Sequence, residues 1–141
     1  MSDGAFFEDL SLGQTASFAK TITEADILLF SAVSGDTNPV HLNQEFAETT
    51  AFKGRIAHGM LSAGLISTVL GTKLPGPGTI YLGQTLKFRA PVRIGDTVTA
   101  TVTVTSLDAA RKRAVLGTVC SVAGKPVIDG EATVMVPSRE A

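Results

Sequence analysis

Alternation of apolar and polar positions dominates the second half of the chain. Val98, Ala100, Val102 and Val104 are separated by threonines, which is the two-residue period of a half-buried strand. Ile80, Leu82, Leu86 and Phe88 set up a similar face upstream, with Gly95-Asp96 as the turn between the two segments. Arg113 to Val122 and Pro126 to Val136 predict two more strands joined by a tight turn around Gly124. The basic run Arg111-Lys112-Arg113 falls where a hairpin should turn and reads as a solvated turn. One earlier strand is predicted from about Thr15 to Ile22, after an entry segment over residues 6–14.

Between these strands the period changes. Gly59 to about Leu74, GMLSAGLISTVLGTKL, is apolar on nearly every side and rich in small residues, which predicts a helix buried in the middle of the fold. Gly64, Gly71 and the serines lower its intrinsic propensity, so packing must hold it, and Pro75-Gly76-Pro77-Gly78 ends it. Upstream, Thr23 and Asp26 have capping-box spacing. Ile27, Leu28, Phe30 and Val33 then give the apolar positions of a short helix that ends at Gly35. A second short helix, capped by Asn43, should carry Phe46 and Ala47 inward. One long helix followed by consecutive antiparallel strands predicts an α+β fold in which a curved antiparallel sheet wraps around a long central helix, the hot-dog arrangement. Such a sheet leaves an edge and a face uncovered, so a homodimer is expected.

Composition narrows the function. The 141 residues are 44% hydrophobic and 18% charged, which fits a single globular domain over 1-141 with a sizeable core. A net charge of -1 without a stripe of clustered Lys and Arg excludes nucleic acid as the expected partner. Gly59 to Thr72, the longest uncharged apolar tract, is too short and too polar to span a bilayer, so no membrane partner is expected. The start, MSDGAFFEDL, has two acids and no basic apolar leader, and a cytoplasmic location follows as the expectation. The single cysteine, Cys120, sits in an apolar strand and reads as core packing.

The candidate chemistry lies in Phe30 to Ala47, FSAVSGDTNPVHLNQEFA. Gly35 closes the preceding helix, Asp36 opens a loop, and Pro39 pushes Asn38 out of the helical region so that helix cannot coil on before His41. Extended, the five steps from Asp36 to His41 would span roughly 16 Å. The two side chains act together only if the Asn-Pro turn folds them back. A carboxylate and an imidazole facing one point can hold a water, take its proton and deliver a proton elsewhere. On those residues alone a plain turn followed by a surface or capping histidine explains the string equally well. With two histidines and no further Cys/His cluster, no metal site is expected.

The wider pattern decides between these readings. Phe30, Val33 and Ser34 precede Gly35-Asp36-x-Asn38-Pro39-Val40-His41, and Ala47 follows. With Ile56-Ala57-His58-Gly59-Met60-Leu61 and Ile80-Tyr81-Leu82-Gly83-Gln84, the chain resembles the MaoC-type (R)-specific enoyl-CoA hydratases, small hot-dog enzymes that link fatty-acid oxidation to polyhydroxyalkanoate precursor supply. The resemblance implies reversible hydration of a trans-2-enoyl-CoA to the (R)-3-hydroxyacyl-CoA, a hydro-lyase reaction. It implies that Asp36 and His41 are the pair that activates the water, and that the Gly59 N–H receives the thioester oxygen. Ser67 would belong to the active-site wall and Asn38 would brace the loop. No cofactor is implied, coenzyme A being part of the substrate.

The positions suit that reaction. Negative charge develops on the thioester oxygen as water adds, and Gly59 begins the long helix, where backbone N–H groups are unpaired and the dipole favours an anion. Leu65, Ile66, Val69 and Leu70 are candidates to line an acyl tunnel, and Lys53, Arg55, Lys73 and Arg89 to meet the phosphates of coenzyme A. His58, next to Gly59, reads as structural, holding the turn into the helix. Three rivals stand beside this reading. The first is dehydration of a 3-hydroxyacyl group on acyl carrier protein, which would run the same pair in reverse. A hot-dog thioesterase gives no reason for the Asp-turn-His pair, and a non-catalytic acyl-CoA-binding domain would not need both of its members.

Overall fold

The computed structural model describes residues 4–140, so part of the MSDGAFFEDL start lies outside the described residues. Five strands form one antiparallel sheet: β1 (Thr15–Thr21), β2 (Ile80–Gln84), β4 (Thr97–Asp108), β5 (Arg113–Val122) and β6 (Lys125–Met135). Their order is β1-β4-β5-β6-β2, and the two-residue β3 (Lys87–Phe88) also pairs with β6. The alternation read from the sequence is the alternation of faces. Register places Ala100 opposite Cys120 and Val102 opposite Thr118, and all four are buried. Helix α4 (Gly59–Thr72) lies on that face and contributes Ile66, Val69 and Leu70 to the core. Burying one such side chain is worth about 1.5–3 kcal/mol, which offsets the helix's poor intrinsic propensity. Cys120 packs beneath α4 with Sγ 3.5 Å from the Ser62 carbonyl, and burial pushes its thiol up to about 11. It is a core residue. A curved antiparallel sheet against one long helix is the expected hot-dog fold.

Two packing expectations are corrected, and one expected turn is found in place. α4 is not enclosed on every side: Met60, Gly64, Ser67 and Gly71, one stripe at helical spacing, are exposed. The segment Ile80 to Phe88 is not one strand with a single apolar face. A bulge between Tyr81 and Gly83 shifts the register, so Tyr81 stands opposite Val134 and Gln84 opposite Ala132, both fully buried partners. Tyr81 and Gln84 therefore share the face of these partners, where Gln84 Nε2 donates to Thr118 Oγ1 at 2.9 Å, although Tyr81, like Ile80 and Leu82, stays exposed. Gly95-Asp96 does turn, with Gly95 at φ 94° and the Arg93 N–H donating to Asp96 Oδ2 at 2.8 Å. It leads across the sheet and not into a hairpin, because β3 lies on β6 and β4 lies between β1 and β5.

The short helices behave similarly. In α1 (Glu24–Ser34) the capping box forms as read: Thr23 Oγ1 accepts from the Asp26 N–H at 3.2 Å, and Asp26 Oδ2 accepts from the Thr23 N–H at 2.9 Å. Gly35 ends the helix at φ 77°. Its buried face is Ile27 and Ser31, however, and Leu28, Leu29 and Val33 are exposed. Pro39 starts a helix where the sequence was read as a loop. It is the first residue of α2 (Pro39–Leu42), a position where its missing N–H costs nothing, so His41 rides on a helical turn. In α3 (Gln44–Glu48) the Asn43 cap holds with Oδ1 accepting from the Phe46 N–H at 3.1 Å; Ala47 points inward and Phe46 does not.

The corner between β2 and β3 turns over Gly130 of β6. Thr85 donates its N–H to the Glu131 carbonyl at 2.9 Å and accepts from the Glu131 N–H through Oγ1 at 3.0 Å. A Cβ on Gly130 would collide with the Thr85 carbonyl, whose carbon lies 2.7 Å from that point, and backbone cannot swing aside. Gly117 on β5 meets only ordinary contact, at 3.6 Å from Thr105 Cγ2. Gly130→Ala is therefore expected to cost about 1–3 kcal/mol in urea unfolding. Gly117→Ala should stay within about 0.5 kcal/mol of the parent. Equal costs would show that the corner does not depend on the missing side chain.

Candidate active site

The site is assembled where α1 ends, α2 begins and α4 begins. Ser34 Oγ donates to the Phe30 carbonyl at 2.6 Å and accepts from the Asp36 N–H at 3.1 Å, tying the glycine turn to the end of α1. Asp36 Oδ1 accepts from the Asn38 N–H at 3.3 Å, and Asn38 Oδ1 caps α2 by accepting from the Val40 N–H at 3.1 Å. These short-range bonds reverse the chain. One Asp36 carboxylate oxygen, one His41 ring nitrogen and one His58 ring nitrogen all lie within 4.8 Å of one another. Asp36 is exposed, whereas His41 and His58 are buried at 7% and 2% exposure.

Hydrogen bonding fixes which atom of His41 can react. Its Nδ1 lies 2.8 Å from the Ile56 carbonyl, and a carbonyl only accepts, so Nδ1 carries the proton and Nε2 keeps a free lone pair. Burial holds the His41 ring below the usual imidazole value of 6.5, with His58 adding to the depression; the Ile56 bond and the Asp36 charge oppose it. The ring is therefore a neutral base at neutral pH. Arg55 secures the backbone behind it. Its Nε donates to the His41 carbonyl at 2.6 Å and its guanidinium grips Glu24 at the start of α1 at 2.9 and 2.8 Å.

His58 closes the site from below. Its ring stacks on His41 with centroids 3.9 Å apart and 29° between planes, and Phe30 packs against it at 4.7 Å. Nε2 lies 3.0 Å from the Asp36 carbonyl and 3.1 Å from Ser31 Oγ. Asp36, His41 and His58 are together a possible metal-ligand set by distance alone. One nitrogen of each ring is already committed to a backbone carbonyl, and a zinc ion needs free donors that converge at about 2.0–2.1 Å.

Gly59 follows directly as the first residue of α4, where the leading N–H groups have no intrahelical acceptor, the Leu61 N–H being the first to find one, at the His58 carbonyl 3.1 Å away. A Cβ there would overlap the Phe88 ring, 2.6 Å from Cδ1. The glycine thus lets an aromatic ring lie against the helix start. Gly59, His58, Phe88, Phe52 and Arg89 line one cavity of about 250 Å³. Ser67 lines a second, of about 370 Å³, with Met60, Gly64, Tyr81 and Gln84; it stands eight residues, about 12 Å, along α4 from Gly59. Leu65 and Leu70 are core residues and line neither cavity. Of the four cations read as phosphate partners, Arg55 is committed to Glu24 and His41, and Lys73 lies at the far end of α4 over the Phe18 ring. Arg89 stands at the first cavity, paired with Asp129 at 2.9 Å, and Lys53 adjoins Phe52.

The sequence reading thus brought Asp36, Asn38 and His41 together and placed Gly59 beside them. It missed Ser31, read Arg55 as a phosphate partner and Phe88 as a strand-face residue, and gave His58 only the helix turn. Ser31 had a signal, a polar residue one helical turn from buried Ile27; the other two had none, since their partners lie on distant elements.

Comparison with known proteins follows the same lines. Residues 10–126 match the family described as MaoC like domain. The chain is 67% identical over 134 residues to the (R)-specific enoyl-CoA hydratase of Rhodospirillum rubrum, covering 95% of this chain and 93% of that one. Among solved structures it superposes on the unliganded R-hydratase PhaJ1 from Pseudomonas aeruginosa with a TM-score of 0.90 and 49% identity, over 96% of this chain and 88% of that one. For the (R)-hydratase from A. caviae involved in PHA biosynthesis the values are 0.89 and 46%, over 92% and 99%. With most of its length matched in sequence and in fold, the chain belongs to the MaoC-like domain family.

Proposed function

We propose that the protein is an (R)-specific enoyl-CoA hydratase that adds water reversibly to trans-2-enoyl-CoA. The observation that carries this reading is the meeting of Asp36 with His41, whose Nε2 is left free, beside the first turn of α4. An Asp36 carboxylate oxygen and a His41 ring nitrogen lie within 4.8 Å, close enough for the carboxylate and the imidazole to share one water at ordinary hydrogen-bond lengths. His41 Nε2 takes the first proton while Asp36 orients the water, the oxygen bonds to C3, and the pair returns a proton to C2. The Gly59 N–H faces the oxygen on which charge develops, a contribution of roughly 3–4 kcal/mol for a pre-aimed donor.

Other assignments complete the proposal. Asn38 acts as the cap that braces the catalytic turn. Ser67 forms part of the wall met by the acyl chain, with Leu65 and Leu70 packed in the core behind that helix face. Arg89, at the first cavity with its guanidinium shared with Asp129, and Lys53 beside Phe52 are the cations offered to phosphates of coenzyme A. Residues 1–141 act as one unit, in the cytoplasm and without a resident cofactor, supplying (R)-3-hydroxyacyl-CoA as polyhydroxyalkanoate precursor. No helix among the described residues is long and apolar enough to cross a membrane. The uncovered stripe of α4 and the exposed Ile80, Leu82 and Phe88 on the edge strands support a homodimer, since a second copy covers such an apolar edge at least cost.

Mixing the protein with crotonyl-CoA should give rapid loss of the conjugated enoyl-thioester absorbance and (R)-3-hydroxybutyryl-CoA as product. Inertness toward acyl-CoA of any length, with turnover of the acyl carrier protein thioester, would replace this reading by the dehydratase. Asp36→Asn and His41→Ala should each lower kcat at least ~100-fold with the far-UV spectrum unchanged. A single variant that keeps parental turnover would remove its residue from the mechanism.

The acidity of His41 gives a further expectation. The neutral ring is the competent form, and a value held below 6.5 delays its protonation as pH falls. The acid limb of kcat/KM for hydration should therefore have its midpoint below pH 6.5. A midpoint above it would assign that limb to another group.

A further inference from the structure

We propose that His58 is a positioning residue for this reaction: one buried ring sets both members of the catalytic pair, holding Asp36 by its backbone carbonyl and seating the His41 imidazole on its face. The inference rests on the hydratase reading, but the geometry behind it is independent of substrate. His58 Nε2 stands 3.0 Å from the Asp36 carbonyl, which cannot donate, so in the neutral ring Nε2 carries the proton. The same N–H reaches Ser31 Oγ at 3.1 Å, a buried hydroxyl on α1, and so ties the loop to the helix before it. His41 stacks on the ring with centroids 3.9 Å apart, and Phe30 packs against it at 4.7 Å with the two rings tilted by 50°.

The contrast between the two ring nitrogens separates this role from a catalytic one. Nδ1 is buried and meets no hydrogen-bond partner among the described residues, so no side chain stands ready to pass it a proton. Nε2 is spent on the Asp36 carbonyl and Ser31. His58 therefore moves no proton at the reacting atoms. What it supplies is placement, because a shift of about 1 Å in a catalytic group is enough to cost about 100-fold in rate. A capping role at the helix start is not the alternative, since the side chain makes no cap hydrogen bond there. The bland alternative is a core histidine that stabilises the fold without setting the pair.

Two kinds of measurement decide. The chain has two histidines, so long-range proton–nitrogen NMR of the parent protein assigns both rings directly. The proton should sit on Nε2 in His58 and on Nδ1 in His41, and the opposite tautomer in His58 overturns the proposal whether or not the protein is an active hydratase. Kinetics then split the two functions of the ring. His58→Phe keeps a flat face under His41 but removes the donor, and His58→Gln keeps an N–H donor but removes the face. Each should lower kcat about 10-fold or more on crotonyl-CoA with KM changed less than about 3-fold. His58→Gln should also move the acid limb of kcat/KM upward, as water reaches His41 and burial no longer holds its value down. Ser31→Ala, a smaller change at the same brace, should give a smaller fall in kcat and serves if the His58 variants do not fold. Lower thermal stability with parental kcat and an unmoved acid limb in the folded variants would leave His58 a core residue only. A parent protein inactive on every thioester, with the tautomers as stated, would overturn the hydratase reading and leave the brace standing.

Discussion

Two imidazoles lying face to face inside the fold, each with one nitrogen committed to a backbone carbonyl, are the constraint around which the site is arranged. A carbonyl oxygen accepts and never donates, so the Ile56 and Asp36 carbonyls decide which nitrogen of each ring bears its proton. From that follows the division of labour. His41 keeps a free lone pair at Nε2 and has a ring nitrogen within 4.8 Å of the Asp36 carboxylate, whereas His58 has Nε2 spent and Nδ1 buried. The stack also keeps water from the ring faces, which is why burial is the largest influence on His41 and why the ring stays a base.

Holding that stack requires several elements that are distant in sequence. α1 provides Ser31 and Phe30, the turn provides Asp36, α2 carries His41, and the strand-like run before α4 brings Ile56 and His58. Arg55 joins the first and third of these by gripping Glu24 and the His41 carbonyl together. Its pair with Glu24 is half exposed and on its own would contribute little. The bond from Nε to a part-buried carbonyl is the firmer link, since an unmet carbonyl at that place would cost more than the ion pair gains. The sheet enters through Gly130, where the β2–β3 corner turns and brings Phe88 over the start of α4.

The parts legible in the sequence were those governed by local rules. The threonine–valine alternation gave β4, the Thr23–Asp26 spacing gave the start of α1, and Gly35 gave its end. The Asn38-Pro39 turn brought Asp36 to His41 because every bond that folds it spans four residues or fewer. What was misread depends on contacts that no local rule encodes. Pro39 was taken as a barrier to helix before His41, although at a first helical position it is favourable, and the choice between the two rests on the Asn38 cap. The inner face of the Ile80 to Phe88 segment was assigned by counting twos, and one bulge reverses such a count. Apolar residues on α1 and along the stripe of α4 were counted as inward because they are apolar, but what one chain buries is only part of what an assembly buries.

The glycine at the helix start shows how one residue can be asked for by two requirements. A hydratase reading wants Gly59 bare so that a thioester oxygen can approach its N–H. Packing wants it bare because the Phe88 ring lies where a Cβ would be. The two demands are compatible, since Gly59 and the Phe88 ring line one cavity, where a small substrate atom can fit although a fixed side chain on residue 59 cannot. A donor at an unpaired helix terminus is worth most where the medium is least like water. Phe88 is itself 55% exposed, so the Gly59 N–H would work in a dry medium only once bound substrate or a second copy covers that ring, and the corner that places Phe88 sets the shape of the cavity and not its dryness.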